Sequence, residues 1–139
     1  LAALHRDTGC SFLVTTSRRT GTDNEAILKS ALEGVPHQLW TGEGENPYFG
    51  YLALADALIV TGDSVNMVCE ACSMGKPVHI FDLPGGNSKF NHFHQSMREK
   101  EYTRPFTGKL EQWNYPPLLE TQKIARNVEK FLKLHFSQR

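Results

Sequence analysis

The run Ala57-Leu58-Ile59-Val60-Thr61 is apolar at consecutive positions, without the alternation of a strand that keeps one face wet. Such a strand is buried on both faces, and sheets covered on both faces are parallel ones flanked by crossover helices. Val78-His79-Ile80-Phe81 reads as a second strand of this kind. Between the two, Val65, Val68, Cys69 and Cys72 fall at i, i+3, i+4 and i+7, one apolar face of a helix over 64–74. This strand–helix–strand unit restricts the chain to an α/β fold with a mostly parallel sheet.

The remainder extends the alternation. The end of a helix over 1–9, stopped by Gly9, precedes a strand over 10–15. Thr22 and Glu25 have the spacing of a capping box. The helix they open takes its apolar positions from Ala26, Ile27, Leu28, Ala31 and Leu32 and ends at Gly34 and Pro36. A strand over 38–41 and a helix over 47–55 lead into the first apolar run. A helix over 88–100 follows the second, and a long helix over 118–136 closes the chain. The 139 residues make one domain, 1–139, with a Rossmann-like sheet flanked by helices. A natural domain seldom begins inside a helix, so the pattern predicts an upstream portion outside these residues.

Composition excludes several classes. Lys and Arg total 15, as do Asp and Glu, so no net charge draws the chain to nucleic acid or an anionic membrane. No apolar run approaches the roughly 18 residues of a membrane span, and the N-terminus lacks signal-peptide order. Three cysteines give no disulfide framework, which predicts a reducing, cytoplasmic setting. Cys69 and Cys72 form a C-x-x-C inside a helix, away from the N-terminal dipole that lowers a thiol pKa, so packing is their expected role. His92 and His94, at i and i+2, share no helix face and make no metal pair. No Ser/His/Asp triad emerges from spacing, and neither a metal nor a resident cofactor is expected.

Ligands of open α/β sheets bind beyond the carboxyl ends of the strands. Two such junctions carry polar residues. At the first, Gly62 permits close backbone approach, Asp63 or Ser64 can cap the following helix, and its free N–H groups suit an anion. Asn66 and Glu70 continue a polar stripe, with Glu70 roughly 10 Å along the axis from Asp63. That offset suits phosphates at the helix start and ribose hydroxyls at the carboxylate; the same residues also fit a plain cap and a solvated stripe. The second junction, Ser17-Arg18-Arg19-Thr20, offers hydroxyls and two guanidinium forks to phosphate oxygens, or an exposed loop paired with nearby acids. The Gly85-Gly86 turn also follows a strand end and is a candidate flank of the ligand.

The ordered set Ala55-Asp56, Val60-Thr61, Asp63-Ser64, Glu70-Ala71 and Gly75-Lys76-Pro77-Val78 resembles the C-terminal signature of GT-B glycosyltransferases and related nucleotide-sugar epimerases. With Thr16-Ser17-Arg18-Arg19-Thr20, Asn46-Pro47-Tyr48, Trp113-Asn114-Tyr115 and Leu118-Leu119-Glu120-Thr121, it is similar to the plant mitochondrial-fission protein family and its bacterial relatives. The likeness implies the C-terminal half of a GT-B fold, lacking its first strand, with the N-terminal Rossmann-like domain elsewhere. It implies that Glu70 binds a nucleotide ribose and that Asp63, Ser64 and Asn66 approach the diphosphate. Asp63-Ser64-Val65 stands where many transferases have a glycine-rich turn.

The expected ligand is a nucleoside-diphosphate sugar. The expected activity of a complete protein is glycosyl transfer or nucleotide-sugar epimerisation, with this chain alone inactive. Ser17, Arg18, Arg19 and the Ser64 helix terminus would steady a diphosphate leaving group without a metal. The alternative is a non-catalytic interaction module of the fission-family type, built on the same fold.

Overall fold

The computed structural model describes residues 1–84 and 88–136, so the Gly85-Gly86 turn lies outside the described residues. Elements alternate as expected: α1 (Ala2–Thr8), β1 (Phe12–Thr15), α2 (Gly21–Ala31), β2 (His37–Trp40), α3 (Tyr48–Leu54) and β3 (Leu58–Thr61). There follow α4 (Val65–Ser73), β4 (Val78–Phe81), α5 (Ser88–Glu99), β5 (Thr103–Pro105) and α6 (Glu120–Phe136). Gly9 stops α1 in the left-handed conformation, at φ 70°, and its N–H donates to the His5 carbonyl. No helix among the described residues is long and apolar enough to cross a membrane.

All strand pairing is parallel, but it forms two sheets rather than one. β1 pairs with β2, Phe12 opposite His37 and Thr15 opposite Trp40. β3, β4 and β5 pair in that order, Leu58 opposite Val78 and Val78 opposite Thr103. The main core belongs to the second sheet. Leu58, Val60, Val78 and Ile80 of its strands pack with Leu52 of α3, Val68, Ala71 and Cys72 of α4, and Met97 of α5.

The apolar periodicity of α4 holds in part. Val68 and Cys72 are fully buried, while Val65 and Cys69 are only half-buried because Ala71 takes the inward position beside them. All three cysteines are free. Burial pushes the Cys72 thiol up to about 12.

Two expectations for α2 fail. Its N-cap is Thr20 in helical geometry with no side-chain cap, and Glu25 instead accepts a bond from Thr16 Oγ1 at 2.9 Å. A tertiary partner on the preceding loop replaces the capping box. No residue inside α2 is buried, and Ile27 is 65% exposed. Leu32, just past its end, is the position that reaches the interior.

The segment between β5 and α6 folds back over the second sheet. Tyr115 donates its hydroxyl to the Lys76 carbonyl, and the Leu118 N–H donates to Cys72 O at 3.1 Å. Lys76 Nζ reaches the C-terminal carbonyls of α3, Leu52 at 3.2 Å and Ala53 at 2.6 Å, satisfying acceptors the helix leaves open. His79, fully buried on β4, accepts the Glu111 N–H at Nε2 (3.0 Å) and meets the Trp113 ring edge-on at 5.1 Å. Burial holds its pKa below the usual histidine value.

Candidate functional site

The loop after β1 is tied by its own hydroxyls. Thr20 N–H donates to Ser17 O at 2.9 Å and Ser17 N–H to Thr20 Oγ1 at 3.0 Å, closing a turn over 17–20. Arg19 N–H adds a bond to Ser17 Oγ at 3.3 Å. Ser17 and Thr20 therefore shape the turn, and the two arginines project from it. Arg19 reaches Asp63 at 3.3 Å, whereas Arg18 has no ion-pair partner among the described residues.

Asp63 and Ser64 occupy the turn between β3 and α4. Ser64 is the N-cap in extended geometry, φ −124° and ψ 91°, and its hydroxyl makes no cap bond. The helical ladder begins with Val68 N–H to Ser64 O at 3.1 Å, so the N–H groups of Val65, Asn66 and Met67 have no backbone acceptor among the described residues. Ser17, Arg18, Arg19, Asp63, Ser64 and Asn66 line one open hollow of about 470 Å³, together with Val65, Met67 and Phe90. That volume lies within the range of small-molecule sites. The two loops thus meet at the carboxyl edge of the strands, bridged by Arg19 and Asp63.

Thr20 and Glu70 do not line the hollow. Glu70, half-buried one turn further along α4, accepts the Tyr48 hydroxyl at 2.8 Å. Burial and the adjoining carboxylate hold the Tyr48 phenol well above its ordinary pKa. Tyr48 is placed by the Asn46 side chain, whose Oδ1 accepts the Tyr48 N–H at 3.0 Å ahead of α3. Sequence spacing related Glu70 to its own helix and gave no sign of a partner 22 positions upstream.

Gly62 also looks elsewhere than expected. A side chain there would meet His94 Nε2 at 3.4 Å and Asp82 Oδ1 at 3.5 Å, and Gly62 is not part of the hollow's wall. The buried His94 donates from Nε2 to the Gly62 carbonyl at 2.6 Å, which fixes the start of the Asp63-Ser64 turn from below. Phe90 and His94, both on α5, are contributions the sequence did not reveal. The only signal was their spacing on one helix, which is equally a packing signal.

Among the described residues, the hollow offers two guanidinium groups, one of them without an ion-pair partner, three helix N–H groups without a backbone acceptor and a hydroxyl, against one carboxylate paired with Arg19. The arrangement is rich in hydrogen-bond donors, with positive charge from Arg18 and the α4 N-terminus.

Comparison with known proteins gives the lineage. The profile of the Mitochondrial fission ELM1 family matches residues 1–132. The mitochondrial fission protein ELM1 of Arabidopsis thaliana is 37% identical over 126 residues, covering 88% of this chain and 30% of that protein. An uncharacterized protein of Rickettsia prowazekii is 33% identical over 144 residues, covering 99% of this chain and 41% of its own length. The chain therefore spans less than half the length of either relative. No solved structure matches it. By this match over nearly all of its residues, the chain belongs to the Mitochondrial fission ELM1 family.

Proposed function

We propose that this chain is a binding module of the mitochondrial-fission type that recognises a diphosphate-like anion and does not itself transfer sugar. The observation that carries this reading is the Tyr48–Glu70 hydrogen bond at 2.8 Å. The carboxylate that the GT-B resemblance assigns to a nucleotide ribose is engaged by tyrosine and stands off the hollow, while Arg18 and the α4 N–H groups remain available. The chain then forms the C-terminal half of a GT-B-like fold whose first strand and N-terminal domain lie outside these residues. A fission role has this module act at the mitochondrial surface rather than free in the cytoplasm.

Calorimetric titration with pyrophosphate, UDP, GDP, their sugar conjugates and the free nucleosides tests the proposal. Pyrophosphate and the diphosphates bind alike, the nucleosides do not, and Arg18→Ala weakens each diphosphate by roughly 1.5–3 kcal/mol. Steady release of free nucleotide from a sugar conjugate by the purified chain would overturn it.

A second reading keeps nucleotide-sugar binding, with Glu70 on the ribose once Tyr48 is displaced. It is favoured by Ser64 and Asn66 opening the same polar stripe that leads to Glu70. Tyr48→Phe separates the two: it tightens nucleoside diphosphates relative to pyrophosphate only if ribose competes with the Tyr48 hydroxyl.

A further inference from the structure

We propose that α6 lies flat on an anionic lipid surface, its apolar stripe in the headgroup boundary and its basic stripe among the phosphates. No residue of α6 lines the hollow, so the proposal goes beyond the anion reading and does not rest on it.

The stripe supplies the first argument. Ile124, Val128 and Phe131 stand at i, i+4 and i+7 of a 17-residue helix and so share one face. They are 61%, 51% and 56% exposed. Every α6 side chain whose burial is described, at 124–131 and 133, is exposed. The helix makes no extensive contact with any other element. α3, α4 and α5, by contrast, place Leu52, Val68, Cys72 and Met97 in one core cluster. α6 is more amphipathic than α2, α4 or α5, yet its apolar side is open. An isolated helix of this length is marginal in water, so a surface that takes up the apolar face would stabilise it.

The charges say which surface. Arg126, Lys130 and Lys133 repeat the i, i+4, i+7 spacing two positions further along. Two residues turn a helix by about 200°, so the basic stripe runs opposite the apolar one. With Lys123, α6 holds four basic residues against Glu120 and Glu129, in a chain whose charges balance overall. Glu129 pairs with Lys133 at 2.6 Å, while Arg126 and Lys130 have no ion-pair partner among the described residues. α4, which does pack on the sheet, carries no basic residue. A second copy of α6 would cover the apolar stripe and offer nothing to the basic one. An anionic lipid surface satisfies both, and cations on one face with aliphatic and aromatic residues on the other are the form that lies in a membrane interface.

Dimensions fix the depth. α6 is not apolar enough to cross a membrane, and its apolar stripe enters only the headgroup boundary, roughly 5–10 Å deep. A helix about 10 Å across keeps even its outward cations within the roughly 8–10 Å over which surface charge is felt. Charges elsewhere in the chain lie largely beyond that range, so overall neutrality does not oppose the contact. Each cation held near such a surface strengthens binding about fivefold, which makes the contact reversible.

Vesicle flotation tests this on the protein at the length of its relatives, of which this chain spans 30% and 41%. The vesicles are phosphatidylcholine alone, or phosphatidylcholine with about one-third phosphatidylserine. The protein floats with the anionic vesicles and much less with the neutral ones, and the difference fades as salt rises. Val128→Glu abolishes flotation, and Arg126→Gln combined with Lys130→Gln weakens it about twenty-fivefold. All three positions are exposed, and thermal unfolding in buffer alone checks that the variants keep the fold. No flotation of the longer protein would overturn the proposal. If only the 139-residue chain floats, the rest of the protein covers the stripe, and the proposal falls as well. Flotation that survives Val128→Glu would place the lipid contact elsewhere. A dimer in vesicle-free buffer that Val128→Glu dissociates would assign the stripe to a second copy instead. Flotation lost in Arg18→Ala would put the lipid phosphate in the hollow and remove α6 from the account.

Discussion

The two sheets use the same β-α-β grammar and reach different ends. In the β3–β4–β5 half, α4 packs on β3 and β4 of a three-stranded sheet and buries Val68, Ala71 and Cys72 completely. In the β1–β2 half, α2 is less apolar than α4, has the weaker apolar face and buries no residue. Two differences act together: the apolar face of α2 is weaker, and its sheet is narrower. Three strands present a platform about as broad as a helix, and two do not. Burying a helix takes both an apolar face and a partner surface of matching size.

The largest effect should come from one substitution made in both halves. Ile80→Ala, at a position 1% exposed, is expected to cost about 2–5 kcal/mol, whereas Ile27→Ala on α2 stays within about 0.5 kcal/mol. Urea denaturation of the two variants measures this, and equal losses would erase the contrast.

The perturbed titrating groups give a second division, since Tyr48, Cys69, Cys72, His79 and Tyr115 all sit in or against the larger half. The Cys72 thiol is raised from an ordinary 9.0 to about 12, so its contribution is complete below pH 9 and is lost as pH rises toward 12. His79 is lowered from 6.5, so its contribution is complete above that pH and is lost as pH falls below it. Thermal stability should form a plateau from about pH 6.5 to 9 and decline on both sides. His79→Phe should soften the acid decline, and an unchanged acid limb would remove histidine from the account.

Across the boundary between α3 and α4, Tyr48→Phe removes one hydroxyl and one hydrogen bond. A loss of about 1 kcal/mol is expected in the same denaturation assay. No loss would mean that Glu70 is already satisfied by water, and would favour its assignment to a ligand. The smallest effect belongs to the bridge at the hollow. Arg19→Ala should cost less than about 1 kcal/mol, because both side chains of the 3.3 Å pair are substantially exposed. A larger loss would make that bridge a structural clamp between the two halves and not part of a ligand site.

Much of the fold was legible because its causes are local. Continuous apolar runs named β3 and β4, Gly9 and Gly34 marked chain reversals at φ 70° and 73°, and helical spacing marked α4. That the loops around Arg18 and Ser64 meet at one edge was legible for a related reason: both directly follow strands, and parallel strands end on one side. What the sequence did not reveal also has a common cause. The capping box at Thr22 and Glu25 lost to Thr16, and Glu70 accepts the Tyr48 hydroxyl, because a polar side chain takes whichever partner the fold brings near.

The sequence by itself determined that this is a parallel α/β domain of the Mitochondrial fission ELM1 family, and it placed most of the elements to within a few residues. Periodicity and chain punctuation are properties of neighbouring residues, and they survive any arrangement of the whole. Only the tertiary structure decided that the strands form two sheets, that Arg19 meets Asp63 and that Glu70 turns to Tyr48. Those outcomes depend on which distant strands pair and which helix faces find cover, and no local pattern encodes the identity of a remote partner.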